Sequence, residues 1–288
     1  MSIQPLADPD LPEVFTDGRT TVVWSDAVKG LERVVKDGTA NLIFADPPYN
    51  LGKQFASFLD SWASEEEYVA WCKEWLAVCV RKLAPDGSFY LMASTQAMPT
   101  LDLFIRNELT VLSRIVWAYD SSGVQARKYF GSLYEPILHC VRDPRSYTFN
   151  ADAIMVEAPT GARRKLIDYR ANPPRPYRSH KVPGNVWTIP RVRYRMPEYE
   201  EHPAQKPERL LERIILASSR PGDLVVDPFA GTFTTSAVAA RLGRQSVGVE
   251  LELEYVRVGL RRLALRDELH NVPLRSPHKR FRRATNHQ

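Results

Sequence analysis

Two short stretches carry residue types that could do chemistry: Asp46-Pro47-Pro48-Tyr49 and the run from Asp227 to Thr235, DPFAGTFTT. Proline fixes its own φ near about −65° and has no N–H to donate, so Pro47 and Pro48 hold a short rigid arc of acceptor carbonyls. Asp46, when ionised, is also an acceptor only. An acceptor carboxylate beside a preset acceptor carbonyl suits a group that offers two N–H donors, such as the exocyclic amine of a nucleobase. Tyr49 then offers a flat face for the base ring, a stack worth about 1–3 kcal/mol. The same four residues would also serve a strand that simply stops in a Pro-Pro turn over a buried tyrosine.

In the second stretch, Ala230 and Gly231 let a ligand approach the backbone closely, and the helix start that follows presents free N–H groups that favour an anion. Glu250 ends the next apolar run, where an acidic residue can accept hydrogen bonds from ribose hydroxyls. Together these features describe a nucleoside-bearing cofactor whose far end carries a carboxylate. One glycine does not make a GxGxxG, so a purely structural turn is the alternative at this point.

The elements that must position these residues follow from the hydrophobic pattern. Thr21 to Trp24, Asn41 to Ala45 and Ser88 to Met92 are apolar or β-branched runs with the character of buried strands, the last preceded by the turn Pro85-Asp86-Gly87. Between them Tyr68, Trp71, Cys72, Trp75, Leu76, Cys79, Val80 and Leu83 recur at spacings of three and four, one face of a helix, with Ser64 and Glu67 as its capping box. Further on, Pro207 opens a helix through Leu210, Leu211, Ile214 and Ile215, and a turn at Pro221-Gly222-Asp223 leads to the strand Leu224 to Val226. A helix from about Thr235 to Arg241, a strand from Ser246 to Val249 and a helix from about Glu254 to Arg266 complete the pattern. Strands alternating with helices predict an α/β fold with a mostly parallel sheet. Asp46 and Asp227 each follow a strand, so both should project from the carboxyl edge of that sheet, where open parallel sheets bind ligands.

The 288 residues suffice for one large α/β core carrying an insert. No apolar run approaches the roughly 18 residues needed to cross a bilayer, and the first residues lack the flank and apolar stretch of a signal peptide, which predicts a cytoplasmic protein with no membrane association. Cys72, Cys79 and Cys140 have neither metal-ligand spacing nor the pattern of a disulfide framework, so no metal is expected. The net charge of +5 is unevenly placed. Between Gly161 and Arg195 lie Arg163, Arg164, Lys165, Arg170, Arg175, Arg178, Lys181, Arg191, Arg193 and Arg195 against Asp168 alone, the footprint of phosphate backbones or, more blandly, of a solvated loop surface. From about Arg142 to Glu201 the chain is rich in Pro, Arg and Tyr with little periodicity, the character of an insert, and Asn271 to Gln288 has that of a mobile basic arm.

The pair Asp46-Pro47-Pro48-Tyr49 and Asp227-Pro228-Phe229-Ala230-Gly231 resembles the amino-group DNA methyltransferases that use S-adenosyl-L-methionine. The order of the two motifs, with a basic insert and then His202-Pro203-Ala204-Gln205-Lys206-Pro207 between them, resembles the β class of that family. The stretches from Ser113 to Leu138, Leu166 to Tyr177 and Lys181 to Trp187 are further similar to the solitary bacterial adenine-specific enzymes of the YhdJ type. The likeness runs from about residue 20 to about residue 266. It implies a Rossmann-like methyltransferase fold with a catalytic half at 20–141, a target-recognition insert at 142–201, a cofactor-binding half at 202–270 and a basic tail at 271–288.

The resemblance also implies roles. Asp46, Pro47, Pro48 and Tyr49 match the tetrapeptide that holds a flipped base. Asp227, Phe229, Ala230 and Gly231 match the cofactor loop, with Thr232, Thr234, Thr235 and Lys206 near the methionine carboxylate, Glu250 at the ribose and Asp26 near the cofactor adenine. Arg127, Lys128, Arg170, Arg175, Arg178, Lys181, Arg191, Arg193 and Arg195 are the candidate contacts to double-stranded DNA, and the β class suggests a possible homodimer. Many relatives read FxGxGT where this chain places Phe233 at the second glycine. The implied reaction is direct in-line methyl transfer to N6 of adenine. C5 methylation of cytosine would need a cysteine after a proline, which the chain lacks. Serine commonly opens the N4-cytosine motif and asparagine that of protein glutamine methylases, so Asp46 favours adenine; N4-cytosine methylation, a non-catalytic DNA-binding regulator and an RNA substrate are the remaining alternatives.

Overall fold

The computed structural model describes residues 12–119, 127–158 and 166–265. The expected basic tail, the predicted helix end at Arg266 and the cluster Arg163, Arg164 and Lys165 lie outside the described residues.

In chain order the elements are β1 (Glu13–Thr16), β2 (Thr20–Trp24), α1 (Ala27–Val34), β3 (Ala40–Ala45), the short pair β4 (Gln54–Phe55) and β5 (Phe58–Leu59), α2 (Glu65–Lys82), β6 (Leu83–Met92), α3 (Met98–Ile105), β7 (Thr110–Ala118) and β8 (Tyr134–Val141). A 3₁₀ turn at Ala151–Ile154 precedes β9 (Val156–Glu157), β10 (Ile167–Asp168), β11 (Arg175–Pro176), β12 (His180–Lys181) and β13 (Val186–Thr188). Then come α4 (Glu208–Ser218), β14 (Leu224–Asp227), α5 (Thr234–Arg241), β15 (Gln245–Glu250) and α6 (Leu253–Arg262).

Nine strands form one sheet in the order β1-β2-β15-β14-β3-β6-β8-β7-β13. The run from β2 to β6 is parallel throughout, and β1 and β8 pair antiparallel with its two ends. Successive side chains of a strand point to opposite faces. Ile43 and Ala45 accordingly join the core beneath α1, α2 and α3, while Leu42 and Phe44 join the core beneath α4 and α5. A third cluster packs α6 against Phe15, Val22 and Trp24. With both faces covered, β3 reads as a continuous apolar run rather than an alternating one.

The local signals act as their chemistry requires. Ser64 caps α2 by accepting from Glu67 N at 3.2 Å, and the Glu67 carboxylate accepts in return from Ala63 N at 3.0 Å. In β6, Ser88 to Leu91 pair with Leu42 to Ala45, while Leu83 pairs with Ala40, so Pro85-Asp86-Gly87 forms a bulge in the ladder. The span read as a separate insert behaves differently at its end. β13 adds a parallel edge strand beside β7, and Trp187 and Ile189 are buried against α4 in the main core. Its preceding part forms two-residue pairs, β9 with β12 and β10 with β11.

Candidate active site

β3 and β14 are parallel neighbours, with Val226 opposite Ile43. Asp46 therefore leaves the carboxyl edge of the sheet beside Asp227, the last residue of β14. β8 runs antiparallel to β6, Ile137 pairing with Met92, so the start of β8 arrives at that same edge and brings Glu135 with it. The loop before α4 delivers Lys206.

These elements assemble four side chains into one buried network. The Tyr49 hydroxyl lies 2.6 Å from Asp46 Oδ1 and 2.9 Å from Glu135 Oε2. Lys206 Nζ lies 2.5 Å from Asp46 Oδ2 and 3.6 Å from Glu135 Oε2, and it also donates to the Ala204 carbonyl. Burial lifts the Asp46 carboxyl above its ordinary pKa; the Lys206 ammonium opposes this and the Glu135 charge adds to it. Burial works against the Lys206 ammonium, but the two carboxylates outweigh it and hold its pKa above the usual lysine value. Lys206 thus sits on the carboxylate of the first motif, whereas the resemblance implied a place near the methionine carboxylate.

The loop that follows Pro47 is held from beneath. Buried Asp60 accepts from the N–H groups of Tyr49, Asn50 and Leu51, at 3.2, 2.6 and 3.2 Å, and the Tyr68 hydroxyl donates to the Pro48 carbonyl at 2.9 Å. Three N–H donors on one carboxylate make a rigid turn, since each would otherwise go unpaired in a partly buried segment. Neither Asp60 nor Glu135 was singled out from the sequence. Their only signal there is an acid close to, or far from, a motif it serves.

Beside this network lies the second motif. Gly231 N donates to Glu250 Oε2 at 2.8 Å and Glu252 N to Glu250 Oε1 at 2.7 Å. Burial pushes the Glu250 carboxyl up to about 8. The Thr235 hydroxyl donates to Asp227 Oδ2 at 2.5 Å and Phe229 N to Asp227 Oδ1 at 3.0 Å, while burial pushes Asp227 up to about 7. Arg262 reaches across to the Thr232 carbonyl and the Thr234 hydroxyl, so all three threonines are tied into the loop. Gly231 takes φ +51°, and the ring of His202 covers its open side. Ala230 is buried against the α6 cluster, and Phe229 packs between Trp71 and Trp75. Asp26 caps α1 by accepting from Lys29 N at 2.9 Å, at the end of the strand next to Glu250.

Phe233 explains its own departure from glycine. It occupies the left-handed region at φ 59°, where glycine is the usual residue, yet its ring is fully buried. A Cβ at Gly248 would come within 2.7 Å of that ring, and one at Gly259 nearer still. The space for the ring thus exists because two other positions are glycine.

The basic candidates spread over the surface around this edge. Arg127 and Lys128 are exposed in the connection from β7 to β8, the strand whose second residue is Glu135. Arg175 and Lys181 are exposed on the small paired strands and Arg178 on the connection between them, while Arg170 is engaged by Asp168 and by the Tyr177 hydroxyl. Arg191 lies over the Tyr119 ring at 5.0 Å, and its charge reaches Lys206. Arg193 is exposed, and Arg195, at φ 70°, lies over the Tyr194 ring at 5.6 Å. Among the described residues no cluster of His, Cys, Asp and Glu has the makings of a metal site.

Comparison with known proteins places this geometry. A family model described as DNA methylase matches residues 40–261. The chain is 56% identical over 252 residues, 88% of its length and 85% of the relative's, to "DNA adenine methyltransferase YhdJ" of Escherichia coli (strain K12). It is 33% identical over 245 residues, 84% of its length and 73% of the relative's, to "Type II methyltransferase M.HpaI" of Haemophilus parainfluenzae. Among solved structures, PvuII DNA methyltransferase (cytosine-N4-specific) superposes with TM-score 0.66 at 18% identity, covering 90% of this chain and 95% of that one. The M1.HpyAVI–SAM complex superposes with TM-score 0.59 at 20% identity, covering 85% and 98%.

Proposed function

The chain belongs to the DNA methylase family, and from that premise we propose that it transfers a methyl group from S-adenosyl-L-methionine to N6 of adenine flipped out of duplex DNA. It is an S-adenosyl-L-methionine-dependent DNA methyltransferase; the choice of adenine and the roles of individual residues are the proposal. The observation that carries it is the buried Asp46 carboxylate at the end of β3, beside the Gly231–Glu250 loop.

The cofactor fits the residues present. Glu250 is a buried carboxylate that already accepts two hydrogen bonds, Gly231 holds a positive φ beside it, and the N-terminus of α5 follows directly. Glu250 would hold the ribose, the Gly231 to Thr235 turn the methionine end, and Asp26 and Phe229 would flank the adenine. Bound there, S-adenosyl-L-methionine supplies the methyl group as an electrophile.

The amine of adenine is a poor nucleophile because its lone pair is delocalised into the ring. Asp46 and the Pro47 carbonyl, accepting one N–H each, favour a pyramidal nitrogen whose lone pair is free to attack in line. Positioning and electrostatics supply most of the catalysis. Flipping the base costs a few kcal/mol, offset by these hydrogen bonds and by stacking on Tyr49. No covalent enzyme intermediate is needed: all three cysteines are buried, and burial raises each thiol pKa, Cys72 and Cys140 to about 12.

The exposed Arg175, Arg178, Lys181 and Arg193 support an insert that grips phosphates, with Arg127 and Lys128 of the connection from β7 to β8 beside it, and such contacts fix register without reading sequence. A DNA substrate supports a cytoplasmic location, and among the described residues no helix is long and apolar enough to cross a membrane. The β-class resemblance supports a homodimer, which sedimentation velocity would test. Nucleoside mass spectrometry on unmethylated duplex DNA and on RNA, each incubated with protein and S-adenosyl-L-methionine, tests the whole reading. N6-methyladenine in DNA is the expected product. N4-methylcytosine would overturn the inference from Asp46, and methylation of RNA alone would overturn the substrate.

A further inference from the structure

Both oxygens of Asp46 are engaged before any base arrives, Oδ1 by the Tyr49 hydroxyl and Oδ2 by Lys206. Each oxygen keeps a second lone pair, so an amine that uses this carboxylate must share an oxygen with one of these donors or displace it, and the Lys206 ammonium at 2.5 Å is the closer competitor. Lys206 cannot simply be released, because its side chain is 9% exposed and an unpaired buried ammonium is costly. Glu135 resolves the conflict. Its carboxylate is 15% exposed, lies 3.6 Å from Lys206 Nζ, and needs a shift of under about 1 Å to become a full charge-assisted partner. Tyr49 has one hydroxyl hydrogen and two carboxylates within reach, at 2.6 and 2.9 Å, so it can turn from Asp46 to Glu135 without moving its ring.

Resting on the adenine reading above, we propose that Glu135 is a positioning residue for base entry. It takes over Lys206 and the Tyr49 hydroxyl as the amine binds Asp46, keeping the ammonium paired in both states. Two carboxylates and one ammonium are what such an exchange requires: one anion for the cation and one for the amine. The antiparallel insertion of β8 beside β6 places the second carboxylate there, since a parallel strand would bring its other end to this edge.

The test begins with wild-type protein, whose methylated site is mapped by sequencing treated plasmid DNA. A duplex containing that site, with 2-aminopurine beside the target adenine, then reports unstacking when the base leaves. Glu135→Gln keeps the shape but removes the charge, so Lys206 has only Asp46 to pair with. The expected result is a KM for DNA raised about tenfold or more, a kcat changed far less, and weaker 2-aminopurine fluorescence at saturating DNA, with S-adenosyl-L-methionine affinity unchanged. Adding Lys206→Met to Glu135→Gln should restore the fluorescence, because no cation then competes for Asp46. Glu135→Asp retains the charge and should keep the fluorescence near wild type, which covers the case of a poorly folded Gln variant. An unchanged KM and fluorescence in Glu135→Gln, or a loss that Lys206→Met does not recover, would overturn the proposal. Absence of methylated adenine with wild-type protein would instead sink the adenine reading itself, and the proposal with it.

Discussion

Replacing Phe233 by glycine restores the residue that many relatives carry, and two opposed effects decide the outcome. Phe233 sits at φ 59°, a left-handed conformation that costs a residue with a Cβ roughly 1–2 kcal/mol, and glycine relieves that strain. The same change deletes a fully buried ring, and emptying a phenylalanine site costs roughly 3–5 kcal/mol. Packing therefore wins by about 1–4 kcal/mol, and Phe233→Gly should lower the melting temperature by roughly 2–6 °C in calorimetry without cofactor. A second substitution tests the cause. In wild type, Gly259→Ala drives a methyl group into the Phe233 ring and should be strongly destabilising. In the Phe233→Gly background the methyl enters vacated space, so the two changes should be far from additive. A Phe233→Gly protein as stable as wild type, or additive effects of the pair, would refute the view that this ring and the two glycines form one packing unit.

The remaining predictions concern the site and the insert. Asp46→Ala should abolish methyl transfer while titration calorimetry still shows S-adenosyl-L-methionine binding; loss of both would count against Asp46 as the residue that holds the base. Burial raises the Glu250 and Asp227 carboxyls to about 8 and about 7, so the folded protein binds protons that the unfolded chain has already released. Stability from these groups is complete at acid pH and is lost as pH rises from the ordinary carboxylate range through about 8. The melting temperature should fall over that window, and Glu250→Gln should flatten the slope; an unchanged slope would show that Glu250 titrates normally. Joint replacement of Arg175, Arg178 and Lys181 by alanine should weaken DNA binding in anisotropy and reduce the slope of log affinity against log salt by about 2.7, without altering the methylated sequence. A change of methylated sequence would instead make these residues base readers.

Much of this protein is legible along the chain because it depends on local pattern. The buried strands expected at 21–24, 41–45, 224–226 and 246–249 each fall within an observed strand, and with the helix face from Tyr68 to Leu83 and the capping serine before it they follow from periodicity and end signals. Asp46 and Asp227 share an edge because parallel strands put their carboxyl ends together, which the alternation of strand and helix already implies. Strands β7 and β8 were not legible. β8 carries an interior proline, and it becomes a strand by pairing antiparallel with the distant β6 on one side and with β7 on the other. For the same reason the reading of 142–201 as an insert missed β13, which is three residues long and is a strand only because β7 lies beside it.

Residue types alone predict an acceptor carboxylate at position 46 and an acid suited to ribose hydroxyls at position 250. What surrounds them was decided by tertiary structure. Glu135 lies 89 residues from Asp46 along the chain, and only the antiparallel course of β8 brings its carboxylate to the Tyr49 hydroxyl and near Lys206. Lys206 itself carries no mark that distinguishes a cofactor ligand from a counterion to Asp46. That assignment depends on which buried charge its ammonium can reach, and reach in a folded core is a property of distance, not of sequence.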